Sequence, residues 1–349
     1  MTDLLRPLRI GQVRLQNNLV LSPMAGFSDL PFRVLCRRHG AGLVCSEMVS
    51  AVGVTREVPY TMVKMRTLDE ETPMSIQLFG TDAGLVTKAV ADLDKRCAIV
   101  GFNMGCPAHQ IKRQGCGAAM LDDPENALRM IEAVRAGTDR PILVKMRLGN
   151  RKLAGYVAFA KRLEERGAAG LIVHGRIAAQ GYSGHADWDA IARIKQAISI
   201  PVIGNGDITD GPSAKRALES GVDGIAMGRA TLGNAHLFRE IAHYLATGEK
   251  LAEQTPVGRL ADFSEYVAMA EAIGIDPLHI REQAQQFTRG IRGGREMRVT
   301  FTKLPTAEIL RLFRQLVDDA PPLPIPPTSL PHSGPRLAPT LTHGITGRL

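Results

Sequence analysis

Ala98-Ile99-Val100-Gly101-Phe102-Asn103-Met104-Gly105-Cys106-Pro107 is the stretch on which the fold turns. An apolar run bounded by Gly and Pro is a buried strand that stops abruptly. Cys106 then sits on the loop leaving the strand's C-terminal end, with a basic stretch and Gly115-Cys116-Gly117 beyond it. In a parallel strand–helix barrel the chemistry gathers at that end. A thiol there acts as a nucleophile or as a proton donor, depending on its pKa. The competing reading is a small apolar filler, because free Cys is among the most buried residue types.

Working outward, seven more short runs share this form. With Ala98–Met104 the candidate strands are Leu19–Pro23, Leu43–Glu47, Met74–Leu78, Ile142–Met146, Gly170–His174, Val202–Asn205 and Gly224–Met227. Helical patterns lie between them. Ala83–Arg96 sets Leu85, Ala89 and Leu93 on one face, and Pro124–Ala136 opens on Asp123-Pro124, an N-cap with Pro at the first helical position. Val157–Arg166 and Pro212–Ser220 each end at a glycine, Gly167 and Gly221. Eight alternations predict a parallel (β/α)8 TIM barrel over residues 1–245. A doubly wound open sheet is the alternative, and it usually shows fewer units over this length.

After Gly228 the alternation ends. Residues 246–320 read as a small helical domain, with helices expected over Leu260–Ile273, Ile280–Ile291 and Pro305–Val317. From Arg281 to Arg314 there are eight Lys or Arg against three Glu, so this region holds most of the net charge of +8. A basic surface favours a polyanionic partner. Residues 321–349 form a Pro-rich tail with eight Pro and little to build a core, which reads as disordered.

The five Cys are scattered without a CxxC pair, which argues against disulfides and a zinc site. No carboxylate or His cluster points to a metal. The N-terminus lacks a signal-peptide core, and no apolar run reaches membrane-spanning length, so a cytoplasmic protein without membrane contact is expected.

The strand ends carry the candidate site. Ser22-Pro23-Met24-Ala25-Gly26 lets a flat ligand lie close to the backbone, although an ordinary turn would look the same. Gln77 offers a donor and an acceptor to a ring edge. Lys145 and Arg147 share one face of strand five, and a Lys facing a barrel interior is costly unless paired or bound. His174-Gly175-Arg176 ends strand six. Gly204-Asn205-Gly206-Asp207-Ile208 and Met227-Gly228-Arg229 end strands seven and eight, the usual phosphate site of this barrel. A phosphate-tailed cofactor across the mouth is the economical reading. An FMN would set its phosphate at those two loops and its ring near Lys145, Gln77 and Met24.

These residues in this order resemble the tRNA-dihydrouridine synthases, most closely their DusB branch, over roughly residues 10–245. Further motifs carry the resemblance: Asp29-Leu30-Pro31-Phe32-Arg33, Ser46-Glu47-Met48, Gln77-Leu78-Phe79-Gly80, Asn103–Pro107, Gln180-Gly181-Tyr182-Ser183-Gly184 and Leu232-Gly233-Asn234. The resemblance implies FMN bound by Pro23, Met24, Ala25, Gln77, Lys145, His174, Asn205, Gly206, Asp207, Gly228 and Arg229. It implies Cys106 as the proton donor, NADPH (or NADH) as reductant, and C-terminal helices that help hold tRNA. Asn103, Arg147, Arg176, Arg289 and Arg292 are candidate tRNA contacts, and a monomer is expected. The sequence departs from the family pattern at His109-Gln110, where lysines are usual, and in a short Gly149–Gly155 segment. The expected function is reduction of the C5–C6 double bond of uridines in tRNA. The alternatives are an FMN barrel acting on a small molecule and a phosphate-binding barrel without flavin.

Overall fold

The computed structural model describes residues 4–151, 155–289, 294–301, 304, 308–309 and 311–312. Eight parallel strands close into a barrel, labelled β1 (Leu19–Leu21), β2 (Leu43–Ser50), β3 (Met74–Phe79), β4 (Ile99–Met104), β5 (Ile142–Arg147), β6 (Gly170–His174), β7 (Val202–Asn205) and β8 (Gly224–Met227). The ring runs in chain order, and β8 pairs with β1 through Ile225↔Leu19 and Met227↔Leu21. The expected (β/α)8 fold is the observed one, with strand ends within three residues of the sequence reading.

Local signals account for the helices between strands. Asp29, Asp82, Asp123, Asp187 and Asp210 each accept a backbone N–H at a helix start, satisfying one of the orphan donors there. The helices bury apolar faces against the outside of the sheet, for example Val86, Ala89, Val90 and Leu93 of Ala83–Leu93.

Two features were not expected. The first is an antiparallel hairpin ahead of the barrel, Leu8–Ile10 paired with Val13–Leu15. Its Leu8, Ile10 and Leu15 pack with Val20, Leu43, Cys45, Ile99, Leu143, Ile172, Ile203 and Ala226, the inward residues at the strands' N-terminal ends. The hairpin therefore plugs the floor of the barrel. The second is a register shift in β2 between Cys45 and Met48. Such a bulge reverses the inside–outside alternation. Met48 consequently lines the cleft at the barrel mouth, while Glu47 accepts the Gly26 N–H at 2.6 Å and pairs with Lys64 at 3.2 Å.

Beyond the barrel lie helices Pro256–Ala272, Pro277–Phe287 and Gly294–Phe301. The first two match the expected helices at shifted ends, and the third was not anticipated. Phe263, Tyr266 and Phe287 pack together at centroid distances of 5.1–6.0 Å and join the first two helices. Arg38 to Glu265 at 2.8 Å and His39 to Asp262 at 2.9 Å tie them to the barrel. The expected helix over Pro305–Val317 falls mostly outside the described residues, and the tail over 321–349 falls wholly outside them. Among the described residues no helix is long and apolar enough to cross a membrane.

Candidate active site

Strand alternation brings one polar side chain after another to the mouth, two positions above the apolar floor. On β5 the inward series is Leu143, Lys145, Arg147, and neighbouring registers set Asn103 beside Lys145 and His174 beside both Arg147 and Asn205. A cleft of about 1200 Å³ opens there. It is lined by Pro23, Met24, Ala25, Gln77, Asn103, Cys106, Lys145, Arg147, His174, Arg176, Asn205, Gly206, Asp207, Gly228 and Arg229. The fold thus gathers into one cavity every mouth residue singled out from sequence. Ser22, Phe27, Met48, Tyr182 and Leu232 also line it and carried no individual assignment.

Hydrogen bonds fix the amides. Asn103 Nδ2 donates to Gln77 Oε1 at 2.7 Å, and Asn103 Oδ1 accepts the N–H groups of Gly105 at 3.2 Å and Cys106 at 3.0 Å. Asn103 therefore orients the backbone that carries the thiol. Asn205 Nδ2 donates to the Ala226 carbonyl at 2.8 Å, which leaves its Oδ1 facing Lys145 Nζ at 3.4 Å. Four of the five cysteines are buried, whereas Cys106 is half-buried against Met48, Phe79, Ile111 and Cys116. That exposure separates Cys106 from the packing cysteines.

Charge in the mouth is held at a cost. Burial first, and Arg147 second, push Lys145 down to about 8. His174 is driven down to about 2, by burial first and then by Lys145, Arg147, Arg176 and Arg229. Its imidazole is neutral at physiological pH, and Arg176 Nη1 lies 3.4 Å from Nε2. A guanidinium only donates, so Nε2 accepts and the ring proton sits on Nδ1.

The loops after β7 and β8 face each other across the cleft. Gly206 has φ 134°, and a Cβ there would come within 2.6 Å of Ala186 Cβ. Asp207 follows at φ 57°, a strained value for a residue with a side chain. Arg176 holds it, with Nη2 2.9 and 2.8 Å from the two carboxylate oxygens, and the Ala186 N–H donates at 2.8 Å. Burial would raise the Asp207 pKa, but the Ala186 N–H, Arg176 and Arg229 outweigh it and hold the carboxyl below its usual range. Arg229 is 51% exposed, 3.7 Å from Asp207, with its guanidinium 4.0 Å from the Tyr182 ring centroid.

The arginines named as tRNA contacts divide. Arg176 is 2% exposed and also donates to the carbonyls of Ser183 and Gly184. Arg147 donates to the carbonyls of Gly105, Ile177 and Gly181. Both spend donors on the chain itself and brace the β4 and β6 loops. Arg289 is exposed and away from the cleft, and Arg292 lies outside the described residues.

The cleft fits a flat, phosphate-tailed cofactor. Ser22 Oγ is buried at its edge without a partner among the described residues, and Lys145 has one long contact. Buried polar groups left in this state are waiting for a ligand or water. A glycine and the half-exposed Arg229 stand on the paired loops, and apolar Met24, Ala25 and Met48 offer a flat wall.

A family model described as Dihydrouridine synthase (Dus) matches residues 20–312. The "tRNA-dihydrouridine synthase B" of Pseudomonas putida is 39% identical over 307 residues, 85% of this chain and 90% of that protein. The "Probable tRNA-dihydrouridine synthase" of Rhodobacter capsulatus is 40% identical over 265 residues, covering 74% of this chain and 80% of that protein. Among solved structures, "Crystal structure of TcOYE with pHBA" covers 74% of this chain and 96% of its own, at TM-score 0.50 and 15% identity. That likeness is one of fold alone.

Proposed function

This chain belongs to the dihydrouridine synthase family, and from that premise we propose that it is a flavin-dependent oxidoreductase that reduces the C5–C6 double bond of uridines in tRNA, with Cys106 as the proton donor. The observation that carries the reading is one half-buried thiol among four buried ones, held by Asn103 on a cleft that also presents Lys145 and the paired β7 and β8 loops.

The flavin is FMN, and its reductant is NADPH. When bound, FMN supplies the hydride for C6. The chain's own residues do the rest. Gly206, Gly228 and Arg229 take the phosphate. Gln77, Lys145, Asn205 and the Pro23–Ala25 backbone hold the ring, and neutral His174 offers a hydrogen bond without adding a cation. Cys106 delivers the proton to C5 of a uracil lying in the cleft. The target base leaves the tRNA stack to reach this depth, as bases do in other enzymes that modify them. The barrel through residue 245 carries the chemistry. The C-terminal segment over residues 246–320 holds the tRNA, with Arg289 and Arg292 as phosphate contacts and Asn103, Arg147 and Arg176 near the base.

The test is an incubation of the purified, flavin-loaded protein with NADPH and an unmodified tRNA transcript, followed by nuclease digestion and mass analysis. A uridine heavier by two hydrogens is expected. Flavin oxidation by free pyrimidines or enones but not by tRNA would favour a small-molecule reductase instead.

A further inference from the structure

The Pro23–Asp29 stretch after β1 lines the cleft through Pro23, Met24, Ala25 and Phe27. The C-terminal helices hold it from the other side. Tyr266 Oη donates to Asp29 Oδ2 at 2.5 Å, His279 Nε2 lies 2.8 Å from the same oxygen, and Gln283 Nε2 donates to the Phe27 carbonyl at 3.1 Å. Asp29 Oδ1 is committed to the Phe32 N–H, so this carboxylate links the loop, the helix after it and two C-terminal helices. Three members of the linkage are buried, Asp29 at 5% and Tyr266 and Gln283 at 0% exposed, while His279 is 21% exposed at its edge.

Helix Pro277–Phe287 also presses on the neighbouring loop. Gly233 has φ +65°, and a Cβ there would sit 2.3 Å from the Gln286 carbonyl. Leu232, one residue earlier, lines the cleft. β8 and β1 are adjacent in the barrel. One helix thus backs two neighbouring loops of the proposed cofactor site.

Resting on the reading that this cleft holds a flavin, we infer that Tyr266, His279 and Gln283 are positioning residues for that site, so that flavin affinity depends on the docking of the C-terminal helices. The physical reason is preorganisation. Freezing a loop residue costs about 1–2 kcal/mol of conformational entropy. Hydrogen bonds from outside the barrel meet that cost before the ligand arrives, and affinity rises accordingly. Linkage makes the effect reciprocal: a bound flavin tightens the helices onto the barrel by the same factor. The helices would then couple the RNA-holding part of the chain to the site of chemistry.

The experiment titrates flavin-depleted, full-length protein with FMN, following the quenching of flavin fluorescence. Gln283→Leu removes the donor to Phe27, and Tyr266→Phe removes only a hydroxyl while keeping the aromatic packing. Each should raise the FMN Kd about three- to tenfold, the size of one lost buried hydrogen bond. Leu260→Val, in the same helices but away from the loop, should lower thermal stability and leave the Kd alone. A wild-type Kd in both loop-side variants would overturn the inference, and so would an equal rise in Leu260→Val. A second measurement needs no variant. FMN should slow amide hydrogen exchange in Pro277–Phe287 of the wild-type chain, and unchanged exchange there would also overturn it. Wild-type protein that failed to bind FMN at all would overturn the reading of the cleft instead.

Discussion

At the N-terminal end of the barrel, Leu8, Ile10 and Leu15 of the hairpin close over Val20, Leu143, Ile172 and Ile203. At the C-terminal end the same strands present Ser22, Lys145, His174 and Asn205 to an open cleft. One step of strand alternation, about 7 Å, separates the two layers. The floor is built mainly of apolar side chains, with Ser75 buried beside Cys45 and Ile99. The mouth keeps a lysine shifted down, a histidine held neutral and a serine hydroxyl without a partner among the described residues. The upper layer carries buried ionisable groups at a desolvation cost that the apolar floor does not incur.

This contrast can be broken from either side. The largest effect is expected at the floor. Ile10 is fully buried, and Ile10→Ala should cost about 2–5 kcal/mol of stability through lost burial and a residual cavity. Urea unfolding reads it. The folded fraction should bind FMN as the parent does, and a variant that lost flavin while keeping its stability would erase the distinction between the ends. A smaller effect is expected at the mouth. Arg229→Ala should weaken FMN binding about tenfold, the low end for a charge-assisted hydrogen bond, because Arg229 is half exposed and already shares Asp207. Full flavin occupancy in that variant at limiting FMN would show that the phosphate lies elsewhere.

A third test sharpens the comparison through pH. The His174 pKa in the fold, about 2, lies below its ordinary 6.5, so the unfolded chain takes up the proton first. The contribution of His174 to stability is therefore fully present above about pH 6.5 and is lost as pH falls from there towards 2. His174→Asn should shallow this acid limb in far-UV circular dichroism, measured from pH 7 to pH 3. An identical slope in both proteins would mean that the acid sensitivity comes from other groups.

Most of the barrel was legible because most strands are short apolar runs ended by Gly, Asn or Pro, and five of the helices open on an Asp cap. The mouth was legible for a related reason: once a strand end is known, period two names the inward side chains, as it does for Lys145 and Arg147. The hairpin was missed because three-residue strands give too short an alternation to stand out. By sequence Glu47 ends β2, and nothing in Ser46-Glu47-Met48 announces the bulge that sets its carboxylate on Gly26 and Lys64 and the strand's extension to Ser50. The Asp29–His279 contact joins positions 250 apart, and no local pattern encodes such a meeting. Arg147 and Arg176 are candidate substrate contacts by sequence, and the carbonyls they bind in the fold could not be seen in advance.

The central claim is that Cys106 supplies the proton in the second half of the reaction and nothing in the first. Rapid-mixing absorbance at the flavin band separates the halves, with the FMN-loaded Cys106→Ala protein mixed once with NADPH and, after reduction, once with unmodified tRNA. The account predicts bleaching by NADPH at close to the wild-type rate and reoxidation by tRNA slowed about 10²- to 10⁴-fold, the usual loss for a positioned general acid. Reoxidation by tRNA at the wild-type rate would contradict it and return Cys106 to the packing residues.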